Sequence, residues 1–246
     1  MARLDERAEQ FIRDFTRQMT DLYGDDLRSV ILYGSAAGLH FLPGISDLNL
    51  LIVLRGITPA RLRQAHDRLR HFRKERLQPL FLAPSQLATL ADFYPIELLE
   101  MKEQHRVLHG EDFLQGVGIP RDQLRLQLIS ELTGKSLKLR ALYLEAGRDT
   151  QRLEEILRSV TASFQVLMRT LLRLIDENLP PPSEYLEILT QLEERSGLEL
   201  PGFRDVYQVK LGARRLLREE MDGLFGQLLN EVEILTLRAS EIASTS

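Results

Sequence analysis

The chain has 246 residues, 43% of them apolar and 28% charged, enough for one large domain or two small ones with a sizeable core. A formal net charge of −4 gives no general attraction to nucleic acid or to an anionic membrane. Cysteine is absent, which excludes disulfides, thiolate metal sites and a cysteine nucleophile, and is in keeping with a reducing, cytoplasmic setting.

Leu4, Ala8, Ile12, Phe15, Met19 and Leu22 recur at spacings of three and four, which predicts a helix with one buried face, ended by Gly24-Asp25-Asp26. The same stretch is charged and amphipathic and lacks the apolar segment of a secretory signal. No run approaches the roughly 18 apolar residues of a membrane span. "SVILYGS" then predicts a short buried strand and "LNLLIVLRG" a second, with Gly38, Pro43 and Gly44 marking the turn between them. Thr58-Pro59 is a cap followed by proline at the first helical position, opening a helix over residues 58 to 74. "LQPLFLAP" predicts a third strand, which Pro79 restricts to a sheet edge or to the strand's beginning, and short helices are expected at 84 to 91 and 95 to 103.

From about residue 121 the periodicity is helical throughout, over 121 to 147, 150 to 178, 183 to 196, 201 to 211 and 213 to 243, with "NLPPPSEY" as a rigid connector. The apolar stripe of the last of these leaves room for a homodimer. "HGEDFLQGVGIP", residues 109 to 120, carries three glycines and a proline and is the expected linker. The expectation is an α+β chain: residues 1–115 a small mixed sheet with flanking helices, residues 116–246 an all-α helical bundle.

Chemistry concentrates in residues 30 to 54, "VILYGSAAGLHFLPGISDLNLLIVL". Gly34 lets backbone approach a ligand with no Cβ in the way. Ser35 and the neighbouring amides can donate to phosphate oxygens. Asp47 opens the next strand, where a carboxylate can ligate Mg²⁺ alongside substrate phosphates, and positions 47 and 49 share a face.

This pattern resembles the nucleotidyltransferase superfamily, the group that includes DNA polymerase beta and the bacterial aminoglycoside adenylyltransferases. Its signature is an apolar strand ending in Gly-Ser, a gap of about ten residues, and Asp-x-Asp in a second apolar strand. "HRVLHGEDFL", residues 105 to 114, is similar to the loop joining the two domains in bacterial members. The resemblance implies transfer of a nucleoside monophosphate, AMP first among candidates, from a Mg-NTP to a hydroxyl of a small molecule or protein. It also implies roles. Gly34 and Ser35 would hold phosphates, and Asp47 would ligate Mg²⁺ with Asn49 assisting through its carbonyl. Lys135, Lys138 and Tyr143 would reach the triphosphate from the bundle. Apart from the resemblance, Asp92, Glu97 and Glu100 follow the third strand and read as solvated helix acids, with Glu97, after Pro95 at a helix start, the candidate base.

Two departures follow from the residues themselves. The second metal carboxylate is the neutral Asn49, and "LQPLFLAP" offers no acid for the third. At an effective dielectric near 20, each missing charge some 4 Å away removes on the order of 4 kcal/mol per unit charge of attraction for a cation. Magnesium binding is therefore expected to be weak or absent. The alternative to the enzyme is a catalytically degenerate relative, a pseudoenzyme that keeps the pocket as a nucleotide sensor or interaction module.

Other constellations are less informative. His105 and His109 stand at i, i+4, a metal-binding spacing on a helix, but no third ligand is evident. His40 falls inside the phosphate loop. Arg61-x4-His66 has the spacing of a ribonuclease motif but lies outside the helical half, which has no histidine. The Arg-rich stretch "RLRQAHDRLRHFRKER" mixes both signs of charge, and with no tryptophan in the chain a nucleic-acid groove is unsupported.

Overall fold

The computed structural model describes residues 4–38, 47–69, 76–177, 182–214 and 216–242. The expectations that rest on His40, Pro43, Gly44 and the first half of the proline connector, residues 178–181, therefore lie outside the described residues. The chain divides into two compact units, Met1–Pro120 and Arg121–Ser246.

Unit one begins with helix α1 (Glu6–Tyr23), capped by the Asp5 carboxylate accepting from the Ala8 N–H at 2.7 Å. Ala8, Ile12, Phe15, Met19 and Tyr23 form its buried face. Strand β1 (Leu27–Tyr33) runs into a single 3₁₀ turn at Gly34–Ala36, and strand β2 (Leu48–Leu54) returns antiparallel to it. Helix α2 (Pro59–Leu69) crosses over to strand β3 (Leu77–Leu82), which pairs parallel with β2. Helices α3 (Pro84–Phe93) and α4 (Pro95–Glu103) follow, then strand β4 (His105–Gly110), antiparallel to β1. The sheet order is β3-β2-β1-β4.

This order explains the apolar runs. As inner strands, β1 and β2 are covered on both faces: Val30, Leu32, Leu50 and Ile52 pack into a core with α1, and Ile31, Leu51 and Val53 into a second core with Leu87, Ala91 and Leu98 of α3 and α4. Pro79 sits in β3, an outer strand, where a missing N–H can be tolerated.

Strand β4 corrects the sequence analysis, in which residues 105 to 110 were joining loop and linker. "HRVLHG" is too short and too polar to announce a strand, and its half-buried pattern comes from lying at a sheet edge. His105 and His109 are consequently four strand residues apart, about 13 Å, and cannot share a metal ion.

Unit two contains, among the described residues, helices α5 (Arg121–Ala146), α6 (Thr150–Ile175), α7 (Tyr185–Ser196), α8 (Pro201–Lys210) and α9 (Arg218–Glu241). Helix α6 is central and packs on each of the other four. Asp149 caps it, accepting from the Gln151 and Arg152 N–H groups. The whole is an α+β protein: a small mixed sheet with flanking helices, then a helical bundle. No helix among the described residues is long and apolar enough to cross a membrane.

Candidate functional site

Strand directions decide where the polar residues of unit one collect. Because β2 and β4 run against β1 and β3 runs with β2, the end of β1 lies beside the beginnings of the other three strands. The cross-strand partners at that end are Gln78, Asn49, Tyr33 and His105, one from each strand in sheet order. Side chains on alternate positions share a face, so these four form a polar row bordering the apolar core of Ile31, Leu51 and Val53. Burial pushes the Tyr33 phenol up.

The Gly-Ser turn opens at one end of β1 in this row. Gly34 has φ of +73°, the left-handed region that favours glycine, and a Cβ there would stand 3.2 Å from Asn49 Nδ2. The Gly34 N–H donates to the Gln104 carbonyl at 2.8 Å, tying the turn to the entry of β4, and the Gly34 carbonyl accepts from the Ala37 and Gly38 N–H groups. Gly34, Ser35 and Asn49 are thus brought together, with Asp47 at the start of β2 two positions before Asn49.

Asp47 has a partner that the sequence analysis missed. Arg76 Nε donates to Asp47 Oδ1 at 2.8 Å, and the Arg76 carbonyl accepts from the Leu48 N–H at 3.1 Å. Arg76 also has φ of +51°, the one positive value at a non-glycine among the described residues. The ion pair is half exposed and contributes roughly 0–1 kcal/mol, no more than the 1–2 kcal/mol that a side-chain-bearing residue gives up in this conformation. The Leu48 N–H hydrogen bond to the Arg76 carbonyl, at the start of the β2–β3 pairing, helps hold this conformation, and left-handed non-glycine residues are also found at functional sites.

Among the described residues the donor set does not fit a pair of magnesium ions. Around Asp47 the strands supply two amides, Asn49 and Gln78, and among the described residues no three His, Cys, Asp or Glu side chains come together as metal ligands.

His105 closes the row. Its Nδ1 faces the Lys102 carbonyl at 2.9 Å and its Nε2 faces Asp112 Oδ2 at 3.0 Å. Burial pushes the Asp112 carboxyl up, but the His105 contact and the Gln115 and Leu114 N–H groups outweigh it and hold it below its ordinary value.

The remaining expected residues belong to other elements. Glu97, in the first turn of α4, borders an apolar recess of about 210 Å³ lined by Leu80, Leu82, Leu90, Tyr94, Leu98 and Met101; none of Gly34, Ser35, Asp47 or Asn49 lines it. Lys135, Lys138 and Tyr143 belong to α5 of unit two. There the Tyr143 hydroxyl donates to Asp222 Oδ1 at 2.9 Å, which raises its phenol, and its ring lies 4.6 Å from that of Phe225.

No protein-family model matches the sequence, and no curated protein does. Among solved structures, the chain is similar to spectinomycin adenyltransferase AAD(9) from Enterococcus faecialis, determined with ATP and spectinomycin. The TM-score is 0.57 at 14% identity, over 91% of this chain and 99% of that one. A nucleotidyltransferase-like protein from Exiguobacterium sibiricum 255-15 gives a TM-score of 0.39 at 14% identity, over 92% of this chain and 74% of that one. The first of these likenesses establishes the fold: the chain shares the fold of that adenyltransferase.

Proposed function

We propose that this chain binds a nucleoside triphosphate, ATP first among them, at the sheet end that gathers Gly34, Ser35, Asp47 and Asn49. The reaction we propose for it is nucleotidyl transfer to a hydroxyl of a small molecule or protein. One arrangement carries the proposal: a left-handed glycine turn opening beside the first residues of β2, in a chain whose fold is that of an enzyme determined with ATP. The Ser35 hydroxyl and the amides of the turn donate to phosphate oxygens, and the missing Cβ at Gly34 gives the phosphates room. We propose Glu97 of α4 as base for the acceptor hydroxyl.

One contact favours a second function, nucleotide binding without transfer. Asp47 is held by Arg76 and flanked by the amides of Asn49 and Gln78, which leaves little negative charge to organise a transfer reaction. Calorimetric titration of the full chain with ATP, paired with an assay for released pyrophosphate, separates the two. Binding with pyrophosphate release that disappears in Asp47→Ala supports transfer. Binding with no release in the presence of Mg²⁺ supports the sensor. No ATP binding under any condition defeats both.

A further inference from the structure

We propose that Arg76 takes the place of a divalent cation in this site: it neutralises Asp47 when no nucleotide is present and turns its guanidinium to the polyphosphate when nucleotide binds, so that binding needs no metal. The inference rests on the nucleotide-binding proposal above and adds the identity of the cation.

Four observations converge on it. First, the donor set is wrong for paired dications, because the strand positions around Asp47 carry Asn49 and Gln78, whose amides bring no charge. A triphosphate brought to this turn still needs positive charge beside it. Second, Arg76 is already at the place required. Its Nε lies 2.8 Å from Asp47 Oδ1, at the start of β3 and therefore at the same sheet end as Gly34 and Ser35. Third, it is held there by its backbone. The Leu48 N–H donates to the Arg76 carbonyl, and the residue keeps φ of +51°, so its side chain departs from a fixed point. Fourth, the grip on Asp47 is releasable. The Arg76 side chain is 55% exposed and that of Asp47 37%, so water can replace each partner as the pair opens.

A guanidinium is suited to the exchange. It stays charged at any physiological pH and presents a planar fork of N–H donors that fits phosphate oxygens as well as it fits a carboxylate. With Nε engaged by Asp47, its terminal nitrogens can face a phosphate while the pair is still partly made. A lysine would supply charge without that fork.

The test is calorimetric titration of the full chain with ATP, once in EDTA and once in excess Mg²⁺, for the wild type, Arg76→Ala, Arg76→Lys and Arg76→Gly. Glycine suits φ of +51° and guards against a loss caused by backbone disturbance. The wild type is expected to bind ATP with affinities within about threefold in the two buffers. Arg76→Ala and Arg76→Gly are each expected to lose at least tenfold in EDTA and to regain part of it in Mg²⁺, because Asp47 is released to the ion. Arg76→Lys is expected to fall between them. ATP binding that requires Mg²⁺ in the wild type, or an EDTA affinity unchanged in Arg76→Gly, overturns this inference and leaves nucleotide binding standing. No ATP binding by the wild type in either buffer overturns both.

Discussion

Gly34, the residue after β1, lies so close to the Asn49 side chain of β2 that a Cβ on the glycine would stand 3.2 Å from the asparagine's Nδ2. Since Gly34 also has φ of +73°, Gly34→Ala meets two separate penalties, backbone strain and crowding of the amide. The expected loss of stability is about 1–2 kcal/mol, with a smaller thermal shift on adding ATP. Pairing it with Asn49→Ala removes the crowding and leaves the strain, so a double-mutant cycle measured by denaturant unfolding should recover only part of the loss. Full recovery would mean that the turn itself tolerates an L-residue.

Asn49→Asp changes little in shape and adds one negative charge to the polar row, two positions from Asp47. Arg76 then serves two carboxylates and cannot neutralise both. The expected outcome is a Mg²⁺ dependence of ATP binding at least tenfold stronger than in the wild type, read by titrating Mg²⁺ at fixed ATP. Pyrophosphate release should rise in the same variant if transfer is the chain's reaction. An unchanged Mg²⁺ dependence would show that the charge lost at position 49 is not what sets metal use here.

Most of this architecture is legible in the residues because period and punctuation agree. Ala8, Ile12, Phe15 and Met19 announce α1, and the continuous run from Leu50 to Leu54 announces a strand covered on both faces. Asp-x-Asn after a Gly-Ser turn likewise points to the end of the sheet where the polar row lies. Three things stayed hidden for one reason: each depends on strand pairing. Strand β4 has no apolar run of its own and exists because β1 offers it an edge. Gln78 joins the row only through the parallel register Asn49↔Gln78. Arg76 ends the mixed-charge stretch "RLRQAHDRLRHFRKER", and nothing in that sequence signals a left-handed arginine bound to Asp47.

The His105–Asp112 contact gives unit one a defined acid response. Asp112 is held below its ordinary value in the folded chain, with burial opposing and the His105 hydrogen bond and two N–H groups prevailing. A lowered carboxylate contributes stability that is fully present above the unfolded value of 3.8 and is lost as pH falls through the folded one. Asp112→Asn should therefore cost on the order of 1 kcal/mol at pH 5, and the gap from the wild type should close below pH 4. Thermal melts of the two proteins between pH 3 and 6 check this. A gap that stays constant across that range would assign the loss to packing instead of charge.

Glu231 makes the opposite prediction for unit two. Its side chain, on α9, is buried at 2% exposure and accepts from the N–H groups of Gly202 and Phe203 at 2.6 and 2.9 Å. It thereby caps the start of α8, where the first residue, Pro201, has no N–H to satisfy. Burial raises its carboxyl, the two N–H groups and Gln227 pull it down, Glu193 raises it again, and the net displacement is upward. For an acid raised on folding, the cost is absent below the unfolded value of 4.5, grows as pH rises above it and is complete once pH has passed the folded value. Glu231→Gln should flatten that decline in stability above pH 4.5, at the cost of turning an amide NH₂ toward one of the two backbone N–H groups. Glu231→Ala leaves both N–H groups buried without their acceptor and should lose about 2–4 kcal/mol at pH 7. Gly202→Ala presses from the other side, since its Cβ would fall 2.8 Å from Oε1, and should cost about 1–3 kcal/mol. Urea unfolding of the three variants at pH 4 and pH 7 measures all of these, and a Glu231→Ala loss under about 1 kcal/mol would rule the carboxylate out as the cap of α8.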